Sequence, residues 1–269
     1  MGKYFTILSV TIKWNEKMKP DSTILAYLRG EKFSNGTSIH IYSRKEVFKE
    51  KFQLIEEIVC NKKIIHIGCC DHLPLIDLKM RHHTWLHARL CEWCQKCIGI
   101  DINRNGIDYL KNSKGYDDVF CADITNTPEK FILEENWDYF VLGDILEHVD
   151  NPCDFLKKIC ENYSQCVDKL LISVPNALSG FNIFYALFNR EYVNTDHRYN
   201  FTIYSLSKIV YQAGMTVDRY WFCQSKPNYQ ITLGQKILKN SFYLQKIFFR
   251  LFPTLQHSLI MIVKVKEDK

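Results

Sequence analysis

Acidic and histidine side chains follow one of the apolar runs in this sequence at a regular spacing. Asp144, Glu147 and His148 come directly after the run Trp137–Leu142. Their i, i+3, i+4 spacing would place them on one face at the start of a helix. A histidine titrates near neutral pH, so His148 is the candidate general base, and Glu147 could orient it. The pattern therefore predicts proton transfer involving a bound acceptor.

Other roles are open for these side chains. Glu147 and His148 could together hold a divalent ion, or His148 could simply pack beneath a loop while Glu147 caps a helix or pairs with a lysine. His197 lies in the polar segment Asn194–Tyr199. It is a second candidate for catalysis or acceptor contact, and a surface histidine is the equal alternative.

Three cysteines, Cys91, Cys94 and Cys97, form a C-x-x-C-x-x-C pattern that could serve a metal ion. No second cysteine pair at zinc spacing follows them. If they were helical, these i, i+3, i+6 positions would share one broad face, so we interpret them as packing thiols. Three nearby histidines, His82, His83 and His87, have near-helical spacing beside a basic segment, so we interpret them as solvated. We predict no metal site from the cysteines or from the histidines.

Further polar residues stand where three other apolar runs end. Gly68 permits a backbone bend and a close approach to a ligand. A carboxylate at Asp101 could accept two hydrogen bonds from a ribose diol. Asp123 could accept one from an exocyclic amine, although an acid at a strand end is often only a helix cap. Together these residues predict a cofactor that contains adenosine.

A nicotinamide dinucleotide is excluded by the loop after Gly68. The G-x-G-x-x-G pattern would require glycine where this chain has Cys70 and Leu73, and larger side chains would obstruct a pyrophosphate. Asp101 also lies 33 residues after Gly68, whereas about 20 separate the glycines from the acid in that pattern. A Walker-type phosphate loop is absent as well.

Short apolar runs alternate with helical segments along most of the chain. This alternation of strands and helices predicts an α/β fold with a doubly wound, Rossmann-like parallel sheet. Helices are predicted over residues 43–58, 75–95, 105–112, 153–164 and 205–213. The five successive strands are predicted at Lys63–Ile67, Cys97–Ile100, Asp118–Cys121, Trp137–Leu142 and Lys169–Val174.

Both ends of the chain carry additional elements. We expect residues 1–42 to form an N-terminal extension with a strand near Tyr4–Trp14, and residues 43–269 to form the main domain. The tail predicts strands at Thr216–Ser225 and Ser258–Val265. A helical insert at about 234–252 either packs on the sheet or docks on a membrane surface. An aromatic segment within about 177–203 predicts a lid over the acceptor.

Composition and charge argue against several classes of function. The chain has 269 residues and a net charge of +5, without the dense basic stripe of a dedicated nucleic-acid binder. No apolar run is long enough to span a membrane and no secretory signal is evident. Eleven cysteines, several of them in predicted strands, favour reduced thiols in a cytoplasmic protein.

Taken in order, five segments resemble the class I S-adenosylmethionine-dependent methyltransferases. The resemblance covers roughly residues 45–225 and is closest to the branch with ubiquinone-pathway O-methyltransferases and glycan-cluster enzymes. It implies a seven-stranded sheet whose last strand is antiparallel. A subset of that family has a similar H-I-G-C-x-D-H sequence followed by W-L-H. The segments are Ile64–Cys69, Gly99–Ile102, Cys121–Ile124, Leu142–Pro152 and Val174–Asn176.

The resemblance also implies roles for individual residues. The loop at Gly68 would hold the amino-acid end of S-adenosylmethionine, Asp101 its ribose, and Asp123 the adenine amine. Asp144 would lie near the methyl group. Neighbouring residues are included in the expected cofactor contacts: His66, Cys69, Asp71, Ile102 and Ile124.

The expected activity is O-methylation of a small polar acceptor such as a sugar, a nucleotide sugar or a glycan precursor. S-adenosylhomocysteine would be the second product. A non-catalytic cofactor-binding module and an RNA or protein methyltransferase are the alternatives. The motif of base-amine methylation is absent, since Val174-Pro175-Asn176-Ala177 follows the fifth strand instead of the fourth. The oligomeric state is not predicted.

Overall fold

Seven strands form one mixed sheet in the computed structural model, which describes residues 12–14, 22–41, 50–225 and 242–266. Two further short strands, β1 (Ile12–Trp14) and β2 (Ile39–Ile41), pair in parallel as a separate small sheet. The strands of the main sheet are β3 (Lys63–Ile67), β4 (Lys96–Asp101), β5 (Val119–Cys121), β6 (Trp137–Gly143), β7 (Val167–Pro175), β8 (Thr216–Cys223) and β9 (Ser258–Lys264).

The strand order of the main sheet is β5-β4-β3-β6-β7-β9-β8. The last strand along the chain, β9, runs antiparallel to both of its neighbours, and the remaining pairs are parallel. This topology confirms the predicted doubly wound sheet with its antiparallel last strand. The order reverses between β3 and β6, which is where open α/β sheets bind ligands beyond the carboxyl ends of their strands.

Helices lie between the strands and cover the sheet. The helices are α1 (Ser22–Arg29), α2 (Lys51–Val59), α3 (Leu73–Arg81), α4 (Leu86–Trp93), α5 (Arg104–Lys114), α6 (Lys130–Leu133), α7 (Pro152–Tyr163), α8 (Gly180–Leu187), α9 (Ile203–Gln212) and α10 (Phe242–Leu251). A 3₁₀ turn at Pro253–Leu255 follows α10.

The central strands are buried because helices pack on both of their faces. Ile64, Ile65 and Ile67 of β3 are at most 6% exposed. This burial is expected for a parallel strand whose sequence is a continuous apolar run. Each such side chain removed from water contributes about 1.5–3 kcal/mol. The same burial fixes the strand ends, and with them the polar residues that follow.

The N-terminal segment contributes to the main core. Ile24 and Leu28 of α1 are fully buried in the same apolar cluster as Leu206 and Val210 of α9. The ammonium group of Lys208 also donates a hydrogen bond to a backbone carbonyl of α1. Helix α1 is therefore packed against the sheet's helical layer.

Two helix predictions need correction. The segment predicted as one helix over Leu75–Gln95 is two helices, α3 and α4, separated at a turn in which His83 has a φ of +52°. Helix α2 begins at Lys51 after an extended Glu50, whose carboxylate accepts a hydrogen bond from the Gln53 amide. It therefore does not run continuously from Ser43 as predicted.

Several predicted features fall outside the described residues. These include the capping box at Ser43–Glu46, most of the predicted N-terminal strand and the first turns of the helical insert. The end of that insert is α10. No helix in the described part of the chain is long and apolar enough to cross a membrane.

Candidate active site at the switch point of the sheet

The crevice between β3 and β6 begins at a tight backbone bend. Gly68 follows β3 with a φ of +73°, and its amide donates to the Ile100 carbonyl at 2.7 Å. A Cβ at this position would lie 2.1 Å from the side chain of Ile145, which follows β6. Glycine is required here both by the left-handed backbone and by the close approach of the neighbouring loop.

Asp101 is the last residue of β4 and lies next to this bend, where its hydrogen bonds connect the ends of β3 and β4. Its carboxylate accepts hydrogen bonds from the amides of Cys70 at 2.8 Å and Asn103 at 2.9 Å. Each oxygen still has a lone pair free for a diol, because a carboxylate offers about four acceptor sites. Burial raises the pKa of Asp101. Ile102 beside it is 75% exposed and offers an apolar surface for a flat base. These acceptor positions fit the hydroxyl groups of an adenosine ribose.

The other two predicted carboxylates are engaged locally. Asp123 accepts hydrogen bonds from the Thr125 amide and hydroxyl and from the Asn126 side chain, so it stabilises the turn after β5. Asp71 forms an ion pair with Lys79. Their contacts with a cofactor remain predictions.

Three expected cofactor contacts are buried side chains. Cys69 is 1% and Ile124 3% exposed, so either could meet a ligand only through its backbone. His66 is 2% exposed, and its ring stacks on that of His87 with centroids 5.3 Å apart. Its position inside the sheet layer leaves its predicted cofactor contact untested.

An ion pair between a buried lysine and a partly exposed aspartate, absent from the sequence interpretation, lies at the end of β6. The ammonium of Lys51 pairs with the carboxylate of Asp144, which also accepts the Ser173 hydroxyl at 3.0 Å. Asp144 has a φ of +56°, an uncommon conformation that aspartate tolerates better than most residues. The signal in the sequence was Ser173, a polar residue within the apolar run Leu170–Val174 of β7. Nothing in the sequence distinguished Lys51 from the other lysines.

Glu147 is fully buried, and neither carboxylate oxygen has a hydrogen-bond partner within the described ranges. Burial, reinforced by the negative charge of Asp144, raises its pKa to about 8. The group is therefore protonated at neutral pH. A buried polar group without a hydrogen-bond partner is costly, and its raised pKa makes this carboxyl a candidate functional group.

The two candidate histidines meet at the same place. The rings of His148 and His197 are edge to face, with centroids 4.7 Å apart, and His197 Nε2 lies 4.0 Å from Glu147 Oε1. His148 Nδ1 lies 3.2 Å from the carbonyl oxygen of Asp196. Because a carbonyl only accepts, Nδ1 carries the proton and Nε2 presents a lone pair. Burial, together with His148, lowers the pKa of His197.

Glu147, His148 and His197 are brought together by loop contacts and not by the predicted helix start. Residues 144–150 form bends and one turn, and α7 begins only at Pro152, so Asp144, Glu147 and His148 do not start a helix. Arg198 instead holds the loop, since its amide donates to the Glu147 carbonyl and its guanidinium to that of His148. One ligand atom from each of Glu147, His148 and His197 lies within 4.8 Å of the others, close enough for a metal ion.

Helix α8 lies beyond β7, in the segment predicted as a lid. The Asn176 amide donates to the carbonyls of Thr254 and Gln256, and Ser179 caps the helix at the Asn182 amide. None of the α8 side chains is buried. Large apolar side chains along and after α8 are exposed: Phe181, Ile183, Phe184, Leu187 and Phe188.

No family model matches this sequence. A search of curated proteins also gives no match. Among solved structures, the chain is similar to a small RNA methyltransferase at 16% identity and a TM-score of 0.49, covering 87% of this chain. It spans only 28% of that longer protein.

Two smaller enzymes give similar results. A magnesium protoporphyrin IX methyltransferase from Synechocystis with bound S-adenosylhomocysteine has 11% identity, a TM-score of 0.46, and 80% and 79% coverage of the two chains. An S-adenosylmethionine-dependent methyltransferase from Archaeoglobus fulgidus has 15% identity, a TM-score of 0.42, and 81% and 96% coverage. At these identities the similarity concerns the fold alone.

Proposed function

We propose that this protein is an S-adenosylmethionine-dependent methyltransferase that methylates a hydroxyl oxygen of a small polar acceptor. The observation that carries the proposal is the meeting of two groups at one switch point. Gly68 and Asp101 end neighbouring strands there, and Glu147, His148 and His197 gather on loops at the same edge. The first group suits a nucleoside, and the second suits proton transfer.

The cofactor contacts follow from the geometry of the strand ends. The bend at Gly68 lets the backbone approach the amino-acid portion, and Asp101 receives the ribose hydroxyls. Ile102 covers one face of the adenine, and Asp144 lies toward the reacting end. When bound, the sulfonium supplies an activated methyl group and leaves as a thioether. Holding the reactants aligned contributes about 7–11 kcal/mol toward such a displacement.

Proton removal from the acceptor is assigned to His148. Its Nε2 takes the hydroxyl proton while Nδ1–H stays anchored on the Asp196 carbonyl. The oxygen electron pair then forms the new bond to carbon. Glu147 is fully buried and neutral at pH 7, so it borders the two histidines without adding a second negative charge beside Asp144. His197 packs against His148 and limits its orientation.

A hydroxyl-rich acceptor such as a sugar, nucleotide sugar or glycan precursor suits the entrance to this site. His72 pairs with Asp196 at 3.1 Å, and Arg198 with Asp150 at 2.8 Å, so the rim carries exchangeable polar contacts. Exposed aromatic rings of the proposed lid, including Phe184, could cover the apolar face of a sugar ring. We place the activity in the cytoplasm, in glycan biosynthesis.

The cofactor assignment is tested by isothermal titration with S-adenosylhomocysteine. We expect binding to the unmodified protein and its loss in Asp101→Ala. Asp108→Ala is the matched control, because Asp108 is exposed on α5 and should leave the affinity unchanged. Equal affinity in all three proteins would refute the ribose assignment.

The acceptor class is tested by incubating the protein with S-adenosylmethionine and separate panels of nucleotide sugars, RNA and peptides. A mass increase of one methyl group in a nucleotide sugar, dependent on His148, supports the proposal. Methylation of RNA or peptide alone overturns the acceptor assignment. Cofactor binding without any methylated product supports the non-catalytic alternative.

A further inference from the structure

A second group of ligand-type side chains lies away from the loops of the proposed active site. His87 and Cys91 are one helical turn apart in α4, and Cys97 is the second residue of β4. His87 Nε2 lies 3.7 Å from Cys91 Sγ, and His87 Nδ1 lies 3.9 Å from Cys97 Sγ. One atom from each residue can be chosen so that all three lie within 4.8 Å of one another.

This arrangement overturns the premise of the helical interpretation of these cysteines. Helix α4 ends at Trp93, Cys94 caps it, and Cys97 belongs to the strand. The chain therefore folds back between Cys91 and Cys97 and brings the two thiols to one imidazole. Packing along a single helix face cannot account for that convergence.

A neighbouring histidine orients the imidazole as a ligand. His66 Nδ1 lies 3.2 Å from His87 Nδ1, and the two rings are 2% and 1% exposed. When His87 Nδ1–H donates to His66, its Nε2 presents a lone pair toward Cys91. Metal-bound histidines usually donate their second ring nitrogen in this way. His66 Nε2 is buried without a hydrogen-bond partner in the described structure, so only one ring position of His66 is engaged.

We propose that His87 Nε2, Cys91 Sγ and Cys97 Sγ bind a zinc ion. Thiolate and imidazole ligands favour zinc, with bonds of about 2.3 Å and 2.0–2.1 Å that place tetrahedral ligand atoms about 3.5–3.8 Å apart. The 3.7 Å between His87 Nε2 and Cys91 Sγ falls in that range, and Cys97 belongs to the same cluster of potential ligand atoms. Both thiols lose their protons to solvent when the ion binds. Water completes the fourth position, since Cys91 is exposed.

The position of the site indicates a structural role. The His87 ring packs against Gly99, where a Cβ would lie 2.7 Å from its Cε1. Gly99 lies in the strand that ends at Asp101. Zinc would therefore fasten α4 to β4 and restrict the strand that carries the proposed ribose acid. This inference does not depend on the proposed methyl transfer.

The test is metal binding by the reduced full-length protein after chelation. One equivalent of zinc should remain bound after gel filtration, as measured by mass spectrometry of the metal. Cobalt should give a thiolate-to-metal absorption band in the near ultraviolet. Cys91→Ser and Cys97→Ser should each abolish both signals. Cys94→Ser is the matched control and should keep them, because its thiol is outside the ligand set.

Three outcomes would overturn the inference. The first is that the reduced protein binds no stoichiometric zinc. The second is that Cys94→Ser loses zinc as fully as Cys91→Ser does. Zinc that is lost in His148→Ala but kept in Cys91→Ser would belong to the other cluster. Circular dichroism of each variant shows whether it is folded, and His87→Gln provides a second ligand variant that retains all the thiols.

Discussion

The ammonium of Lys51 and the carboxylate of Asp144 form an ion pair across 93 residues of sequence. The lysine side chain is 6% exposed and the aspartate 43%, so the cation depends on this partner more than the anion does. The pair joins the first turn of α2 to the end of β6, where the proposed methyl transfer takes place.

Replacing this lysine should weaken the fold. In Lys51→Met the carboxylate keeps Ser173 and some solvent, so we expect a loss of about 1–3 kcal/mol in unfolding free energy at pH 7. Urea denaturation measures it, and Lys157→Met is the control because its ion pair is exposed. In the Asp144→Asn background the same replacement should cost less.

The sign of the pH dependence follows from Asp144. Burial alone would raise its pKa, but the Lys51 charge together with the hydrogen bonds from Lys51 and Ser173 holds the pKa below its ordinary value. The stabilisation is therefore present above the unfolded pKa of about 3.9 and is lost as the pH falls through the lower folded pKa. The difference between the unmodified protein and Lys51→Met should shrink at low pH. A constant difference would contradict this explanation.

Glu147 should give the opposite pH dependence. Its pKa is raised from 4.5 to about 8, so the folded state keeps a proton that the unfolded state has lost between these values. Its contribution to stability falls as the pH rises through this window, by up to about 1.4 kcal/mol per pH unit. Glu147→Gln should remove that slope in urea titrations from pH 5 to 8. Glu161→Gln, an exposed replacement, should leave the slope unchanged.

Gly68 and Gly115 form a matched pair for the cofactor loop. Both have a φ of +73°, but a Cβ at Gly115 would meet no described atom within 4 Å. Alanine should cost about 1–2 kcal/mol at either position through backbone strain. Gly68→Ala should cost more, because Ile145 must move, and it alone should weaken S-adenosylhomocysteine binding. Equal effects on binding would show that the bend does not touch the cofactor.

His148 can be tested with two replacements. His148→Asn provides an amide donor for the Asp196 carbonyl but no basic nitrogen, whereas His148→Ala has neither. With the true acceptor, both should lower kcat by about 10²–10⁴ if proton transfer is the lost step. The affinity for S-adenosylhomocysteine should stay unchanged in both. Full turnover by His148→Asn would assign the base to another group.

The strands were predictable because buried parallel strands are continuous apolar runs. The segments Lys63–Ile67 and Trp137–Leu142 match β3 and β6 to within one residue. Polar residues at the strand ends could be placed at one edge for the same reason. The helix break at His83 was missed, since periodicity continues across it and a positive φ there has no glycine signal.

Contacts between distant segments were not predictable from local patterns. Lys51 is one of many lysines, and only the fold brings it to Asp144. Cys91 and Cys97 are close in sequence, but their convergence on His87 depends on where α4 stops. The approach of His197 to Glu147 likewise depends on a loop held by Arg198, which carries no periodic signal.

The insertion of β9 between β7 and β8 affects how the sheet can assemble. During synthesis β8 emerges before β9, yet among the described strands it pairs only with β9. Strand β8 therefore stays unpaired until β9 has been synthesised and inserted between β7 and β8. Because chain entropy must be lost before such distant pairings form, closure of this edge should be a late step in folding. Until then the nascent chain exposes two strand edges open to mispairing.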